Sequence, residues 1–223
     1  MTDRWATLGD LLGEARDLGF LGPGPISSHV DQSRAFADAV GTVRSATHSA
    51  RGEETAAAPR SVVDLGSGAG VPGLVLALTW ERTAFVLVEA HLRRAAFLVR
   101  AVRVLELTAR VAVVAERAEI FGQTPSRRGS FDVVTARGFA RPAVVAECAA
   151  PLLDVGGLLV VSEPPPGTAS CGVRWSAHGL AQLGMGRAQP SGSAYQFAVV
   201  TQEQPCPARF PRRVGVPGKR PLF

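Results

Sequence analysis

Between residues 61 and 73 an apolar run closes on an acid and then breaks into alternating glycines, SVVDLGSGAGVPG. The segment Ser61–Leu65 reads as a strand, the glycines as a tight turn, and Pro72 as the first turn of a helix, where its missing N–H costs nothing. Glycine lets the backbone adopt positive φ and come close to a ligand, and a helix N-terminus offers free N–H groups to it. Such a turn cradles a nucleotide-like molecule. It commits the chain to folds in which a strand feeds a helix that packs back on the sheet.

The remainder repeats this unit. Further strand candidates are Ala84–Val88, Arg110–Ala115, Phe131–Thr135 and Leu158–Ser162. Helical spacing falls at Pro72–Trp80, His91–Leu107 and Arg141–Leu153, with a short turn near Glu116–Phe121. Alternation of this kind predicts right-handed βαβ units and a parallel sheet. A weak helix over Arg174–Leu183 precedes two close strand candidates, Met185–Gln189 and Tyr195–Thr201, and the PSGS segment at 190–193 predicts a hairpin turn. Upstream, Trp5, Leu8, Leu11, Leu12, Ala15 and Leu18 have helical spacing. A second helix to about Val43 is expected, capped by Ser27 or Ser28, with a flexible linker over 45–59. The expected organisation is a short helical N-terminal extension and linker (1–58), an α/β domain (59–203) and a basic tail (204–223).

At 223 residues and 46% apolar, the chain has enough material for one core. Cys148, Cys171 and Cys206 lack metal or disulfide spacing, which predicts a reducing compartment and no metal site. No apolar run reaches the roughly 18 residues that cross a bilayer, and no signal peptide is legible at the start, so a cytoplasmic location is expected. The net charge of +5 resides in the tail, where Arg209, Arg212, Arg213, Lys219 and Arg220 stand without an acid. A basic segment on a neutral body suggests contact with a polyanion; a solvated tail is the plainer reading.

Two cofactor frames fit the glycines. Gly68, Gly70 and Gly73 match a dinucleotide fingerprint, which alone is weak evidence. Asp64, Gly66, Gly68 and Gly70 match an S-adenosylmethionine (AdoMet) loop. The second is favoured: Asp64 closes the strand where a carboxylate can face a cationic amino group, and a terminal hairpin suits a methyltransferase sheet. Glu89, at the end of the second strand, is placed to accept from ribose hydroxyls. Ala118 and Glu119 lie where adenine is expected. Arg137, at the carboxyl end of the fourth strand, is placed for a substrate phosphate or the AdoMet carboxylate; within the chain its partners would be Asp132 or Glu119. The chain lacks an NPPY-like segment and a Pro-Cys nucleophile, which argues against methylation of adenine's exocyclic amine or of cytosine C5. A ring nitrogen such as guanine N7 needs only in-line placement, so positioning can supply most of the rate.

From Arg60 onward the chain resembles the RsmG (GidB) family of 16S rRNA guanine-N7 methyltransferases. The resemblance rests on VDLGSGAGVPG at 63–73, LVEAHLRRAAFL at 87–98, RAE at 117–119, FDVVTARGFA at 131–140 and the basic ending PRRVGVPGKRPL at 211–222. It implies a class I AdoMet-dependent fold: a seven-stranded, mostly parallel sheet with helices on both faces and an antiparallel terminal hairpin. It also implies that Gly66, Val71, Ala118, Glu119 and Arg137 line the AdoMet site, that Arg137 is catalytic, and that Arg212, Arg213, Lys219 and Arg220 contact 16S rRNA or the small ribosomal subunit. Two departures stand out. His29, from a family His-x-x-Asp-Ser pattern, survives with the acid shifted, and is read as structural. The family's Lys-Gly after the fifth strand is replaced by Ser162-Glu163, which leaves room for another substrate. The rival readings are a nicotinamide-dependent oxidoreductase and a non-catalytic AdoMet- or ribosome-binding protein.

Overall fold

The computed structural model describes residues 3–50, 58–164 and 174–223. Part of the expected linker (51–57), Pro165, Pro166 and Cys171 lie outside them. The strands are β1 Ser61–Leu65, β2 Ala84–Val88, β3 Val111–Val114, β4 Phe131–Ala136, β5 Leu153–Ser162, β6 Gln189–Ser191 and β7 Phe197–Thr201. They form one sheet of order β3-β2-β1-β4-β5-β7-β6. The first five run parallel, and β7 pairs antiparallel with both β5 and β6. The expected seven strands and terminal hairpin are therefore present.

Helix α1 spans Arg4–Asp17 and α2 Ile26–Ala50. Between the strands lie α3 Gly73–Thr79, α4 Leu92–Val104, α5 Ala118–Gln123 and α6 Pro142–Ala149. Two short helices follow, α7 Ala177–Ala181 and α8 Val216–Lys219. Neighbours in β1 point into opposite cores. Val62 joins α1–α4, while Val63 joins α5, α6 and the tail. Burial on both faces explains why the central strands read as unbroken apolar runs rather than alternating ones. On the first face Phe36 of α2 meets Phe197 of β7 edge to face, with ring centroids 4.6 Å apart. The N-terminal helices thus share one core with the sheet.

Three expectations need correction. Helix α2 starts at Ile26, so Ser27 and Ser28 fall within its first turn, and it runs through residues 45–50, where a linker was expected. A helix already anchored by buried Phe36, Ala39 and Val40 extends through small and polar residues at little cost. The penultimate strand forms at Gln189–Ser191 instead of Met185–Gln189. Met185 makes only one bridge, to Gln202. Pro190 is therefore a strand residue and not a turn residue, on an edge strand, where proline is tolerated.

The basic tail is packed down. Phe210 is buried in the second core. The Arg128 guanidinium donates to the carbonyls of Phe210 at 2.6 Å and Cys206 at 3.0 Å. Farther on, the Phe223 ring fills the space beside Gly179, where a Cβ would lie 1.9 Å from it. Among the described residues no helix is long and apolar enough to cross a membrane.

Candidate active site

In open α/β sheets ligands bind beyond the carboxyl ends of the strands, at the point where strand order reverses. Here that point lies between β1 and β4. A cavity of about 640 Å³ opens there. Its wall is assembled from Gly66 after β1, Glu89 after β2, Ala118 and Glu119 after β3, and Gly138 to Arg141 after β4. Gly215 and Gly218 of the tail complete it.

Gly66 has φ 69°, and a Cβ there would sit 2.5 Å from the Phe139 ring. Its N–H donates to the Val88 carbonyl at 2.8 Å, which ties the loop to β2. Gly68, with φ 54°, donates its N–H to Glu89 Oε2 at 2.9 Å. Oε1 of the same carboxylate accepts from the His91 N–H at 2.8 Å. Glu89 is thus buried, fixed from two sides, and on the cavity wall. Gly70 and Val71 lie elsewhere. A Cβ on Gly70 would strike Leu74 at 2.4 Å, and Val71 packs in the first core. Neither lines the cavity, and Asp64, Gly68 and Arg137 also lie behind its wall rather than on it.

Asp64 is fully buried. Its Oδ1 accepts from the Thr135 hydroxyl at 2.8 Å, and Oδ2 has no hydrogen-bond partner of good geometry. Burial pushes its carboxyl up to about 6, against smaller opposing effects from Thr135, Ser67, Gly73 and the Arg137 charge. A carboxyl raised in the fold contributes stability that is complete below its unfolded value and is lost as pH rises through the folded value. The interval from 3.8 to about 6 corresponds to about 3 kcal/mol. Asp64→Asn is therefore expected to gain on the wild type by up to about that amount between pH 4 and pH 7.5, as read from urea midpoints of both proteins. A constant difference across that range would contradict it.

Arg137 is partnered by neither Asp132 nor Glu119. It reaches across to α2, where Nη2 donates to Nδ1 of His29. The imidazole, 6% exposed, must then carry its proton on Nε2, which donates to the Gly22 carbonyl at 3.2 Å. Burial and the Arg137 charge both lower the pKa of His29, consistent with a neutral ring. The Arg137 Nη1 is buried without a partner. Its guanidinium therefore lies near Asp64, oriented by His29, with donor capacity to spare.

The tail meets this site at two carboxylates. Glu119 Oε1 accepts from the Gly215 N–H at 3.0 Å and from Arg117 at 3.3 Å. Burial alone would raise this carboxyl, but these donors lower it overall. Glu147, fully buried, accepts from Arg212 through Nε at 2.8 Å, Nη2 at 2.6 Å and the backbone N–H at 2.9 Å. Arg212 is thus an internal ion-pair partner, while Arg213, Lys219 and Arg220 are exposed. Sequence reasoning missed the links from His29 to Arg137 and from Glu147 to Arg212, and the tail as a cavity wall. It also passed over Arg94 and Arg141, which line the same cavity. Only the arginine beside a strand end carried a readable signal. The partners of Arg137 and of Arg212 come from elements more than 60 residues away.

The family described as "GidB: rRNA small subunit methyltransferase G" matches residues 40–163, which include the glycine loop and all five parallel strands. The chain belongs to this family. A "Ribosomal RNA small subunit methyltransferase G" of Chloroflexus aggregans is 35% identical over 169 residues, covering 74% of this chain and 71% of the relative. One from Prochlorococcus marinus is 37% identical over 174 residues, covering 76% and 70%. A solved O-methyltransferase family protein from Burkholderia thailandensis superposes with a TM-score of 0.52 at 16% identity, covering 77% of this chain and 60% of that one. That likeness concerns the fold alone, and it is the class I methyltransferase architecture expected from the sequence. Ser162 and Glu163 follow at the carboxyl end of β5. Glu163 accepts from Trp175 Nε1 at 3.0 Å and pairs with Arg174.

Proposed function

We propose that this protein transfers a methyl group from AdoMet to N7 of a guanosine in 16S rRNA, acting in the cytoplasm on the small ribosomal subunit. The observation that carries the reading is that the family match spans the loop and strand ends that wall the large cavity. The sheet order argues against the nicotinamide alternative. A dinucleotide fold continues 4-5-6, whereas β7 here inserts antiparallel between β5 and β6.

The residues present suit AdoMet. The cavity volume is within the range of about 300–1,000 Å³ usual for small-molecule sites. Behind the cavity wall, buried Arg137 Nη1 is an unpaired donor for a carboxylate, and Asp64 lies near it for an ammonium group. Glu89, fixed by two backbone amides, would accept from ribose hydroxyls. Gly66 and Gly68 let the backbone approach, and Ala118 with Glu119 would border the adenine. AdoMet when bound supplies an electrophilic methyl on a sulfonium. Guanine N7 already carries a lone pair, so the protein need not remove a proton; it holds the acceptor in line and excludes water. Exposed Arg213, Lys219 and Arg220, on the tail that walls the cavity, would meet RNA phosphates, a contact that weakens steeply with salt.

Calorimetric titration with AdoMet, S-adenosylhomocysteine and NAD tests the cofactor. Binding of the first two and not NAD is expected, and Gly68→Arg is expected to abolish it, since the side chain would occupy the loop and disrupt the bond to Glu89. Radiolabelled methyl transfer to small subunits that lack the modification, mapped by mass spectrometry, tests the reaction. AdoMet binding without transfer to any RNA would favour the non-catalytic alternative.

A further inference from the structure

A second, smaller cavity of about 260 Å³ adjoins the first. The two share Gly138, Phe139 and Ala140 as a common wall. The far side of the smaller one is lined by Glu163 and Arg174, with Val161, Pro142 and Pro164 as apolar surface. It is below the range of about 300–1,000 Å³ for whole drug-sized ligands, and suits one flat heteroaromatic base. Phe139 also presses against Gly66, so one aromatic ring touches both the glycine loop and the smaller cavity.

We propose that this cavity receives the target guanine and that Glu163 reads its Watson–Crick edge. The inference rests on the methyltransferase reading above. Enzymes that act on a base extrude it, stack it between apolar or aromatic groups and read it by hydrogen bonds to that edge. Phe139, Pro142 and Pro164 supply the stacking surface. Guanine presents two adjacent donors, N1–H and N2–H, which a carboxylate accepts together. Adenine presents an acceptor at N1, which the carboxylate repels. With that edge engaged at Glu163, N7 on the other ring stays free for the shared wall and the cofactor cavity beyond it.

The geometry of Glu163 supports this role. Its side chain is 7% exposed, and it is fixed by Arg174 and by the Trp175 indole N–H at 3.0 Å. Two carboxylate oxygens accept about four hydrogen bonds, so these partners leave room for two more. Arg174 is a positioning residue that aims the carboxylate.

The test uses the full chain and small subunits reconstituted with guanosine or inosine at the methylated position. Inosine keeps N1–H and N7 but lacks N2–H. A bidentate base contact contributes about 1–3 kcal/mol and inosine keeps one of its two bonds, so the wild type is expected to lose roughly threefold to tenfold in kcat/KM on inosine. Glu163→Gln is expected to lose a similar factor on guanosine, to discriminate inosine less than the wild type does, and to bind AdoMet as before. Equal rates of wild type on both substrates overturn the proposal, as does a Glu163→Gln variant with unchanged kcat/KM or unchanged discrimination. If Glu163→Gln does not fold, the wild-type guanosine-to-inosine ratio decides alone. Absence of transfer by the wild type to any subunit refutes instead the reading on which the proposal rests.

Discussion

Arg212→Ala is expected to lower stability by about 3–5 kcal/mol, the size typical of breaking a buried ion pair from one side. Glu147 has 0% exposure and receives three hydrogen bonds from Arg212, so the variant strands a buried carboxylate. The Arg212 side chain is 27% exposed, shielded enough for the pair to be worth far more than a surface contact. For a chain of this length the loss corresponds to a fall in Tm on the order of 10 °C by calorimetry. The backbone N–H bond to Glu147 would remain, but the guanidinium that also clamps the Arg220 carbonyl at 2.7 Å would be gone. The tail should then loosen, and with it the Gly215 and Gly218 wall of the cavity. Two controls sharpen the result. Arg213→Ala, at an exposed neighbour, should stay within about 0.5 kcal/mol of wild type. The double variant Arg212→Ala with Glu147→Leu should recover much of the loss, because no buried charge is left. A single-variant change below about 1 kcal/mol would show that the pair does not hold the tail.

A large effect on ligand binding is also expected at Arg137. Its Nη1 is buried and unpartnered, although an unpaired buried donor is rare in a folded protein. A ligand carboxylate would satisfy it. Hydrogen bonds to charged groups contribute about 1.5–3 kcal/mol, so Arg137→Ala should weaken AdoMet binding by roughly tenfold to a hundredfold in calorimetry, with methyl transfer falling at least as much. Arg137→Lys should recover little, since an ammonium cannot reproduce the planar fork that serves His29 and a carboxylate together. His29→Ala should weaken binding less, because it frees Arg137 without removing it. Unchanged AdoMet affinity in Arg137→Ala would assign the guanidinium a purely structural role beside Asp64.

The parallel core of the fold was legible because each of its elements declares itself locally. Residues 61–65 and 84–88 are bounded by polar or glycine breaks on both sides, and both strands form where their patterns end. Gly66 and Gly68 are likewise readable, since positive φ at a strand end asks for glycine. The hairpin register was not. Met185 and Gln189 are both plausible strand residues, and only pairing with β7 decides that Gln189–Ser191 forms the edge. The end of α2 was missed for the same reason: residues 45–50 have no strong preference of their own and follow the helix anchored upstream.

For the site, the sequence by itself determined the chemistry available: a glycine loop, acids at the ends of β1 and β2, an arginine after β4 and a basic tail. Each follows from residue type and short spacing along one element. Only the tertiary structure decided which of these groups face a ligand and which face one another. Gly70 turned out to clear space for Leu74, Arg212 to neutralise Glu147, and Gly215 to border the cavity through Glu119. Glu163, after the fifth strand, was placed between Arg174 and Trp175 at the rim of a second cavity. The physical reason is range. Backbone conformation is set within a few residues, whereas a buried charge must find its counter-charge wherever packing brings one, and that partner is fixed only when the sheet and its two helical layers close.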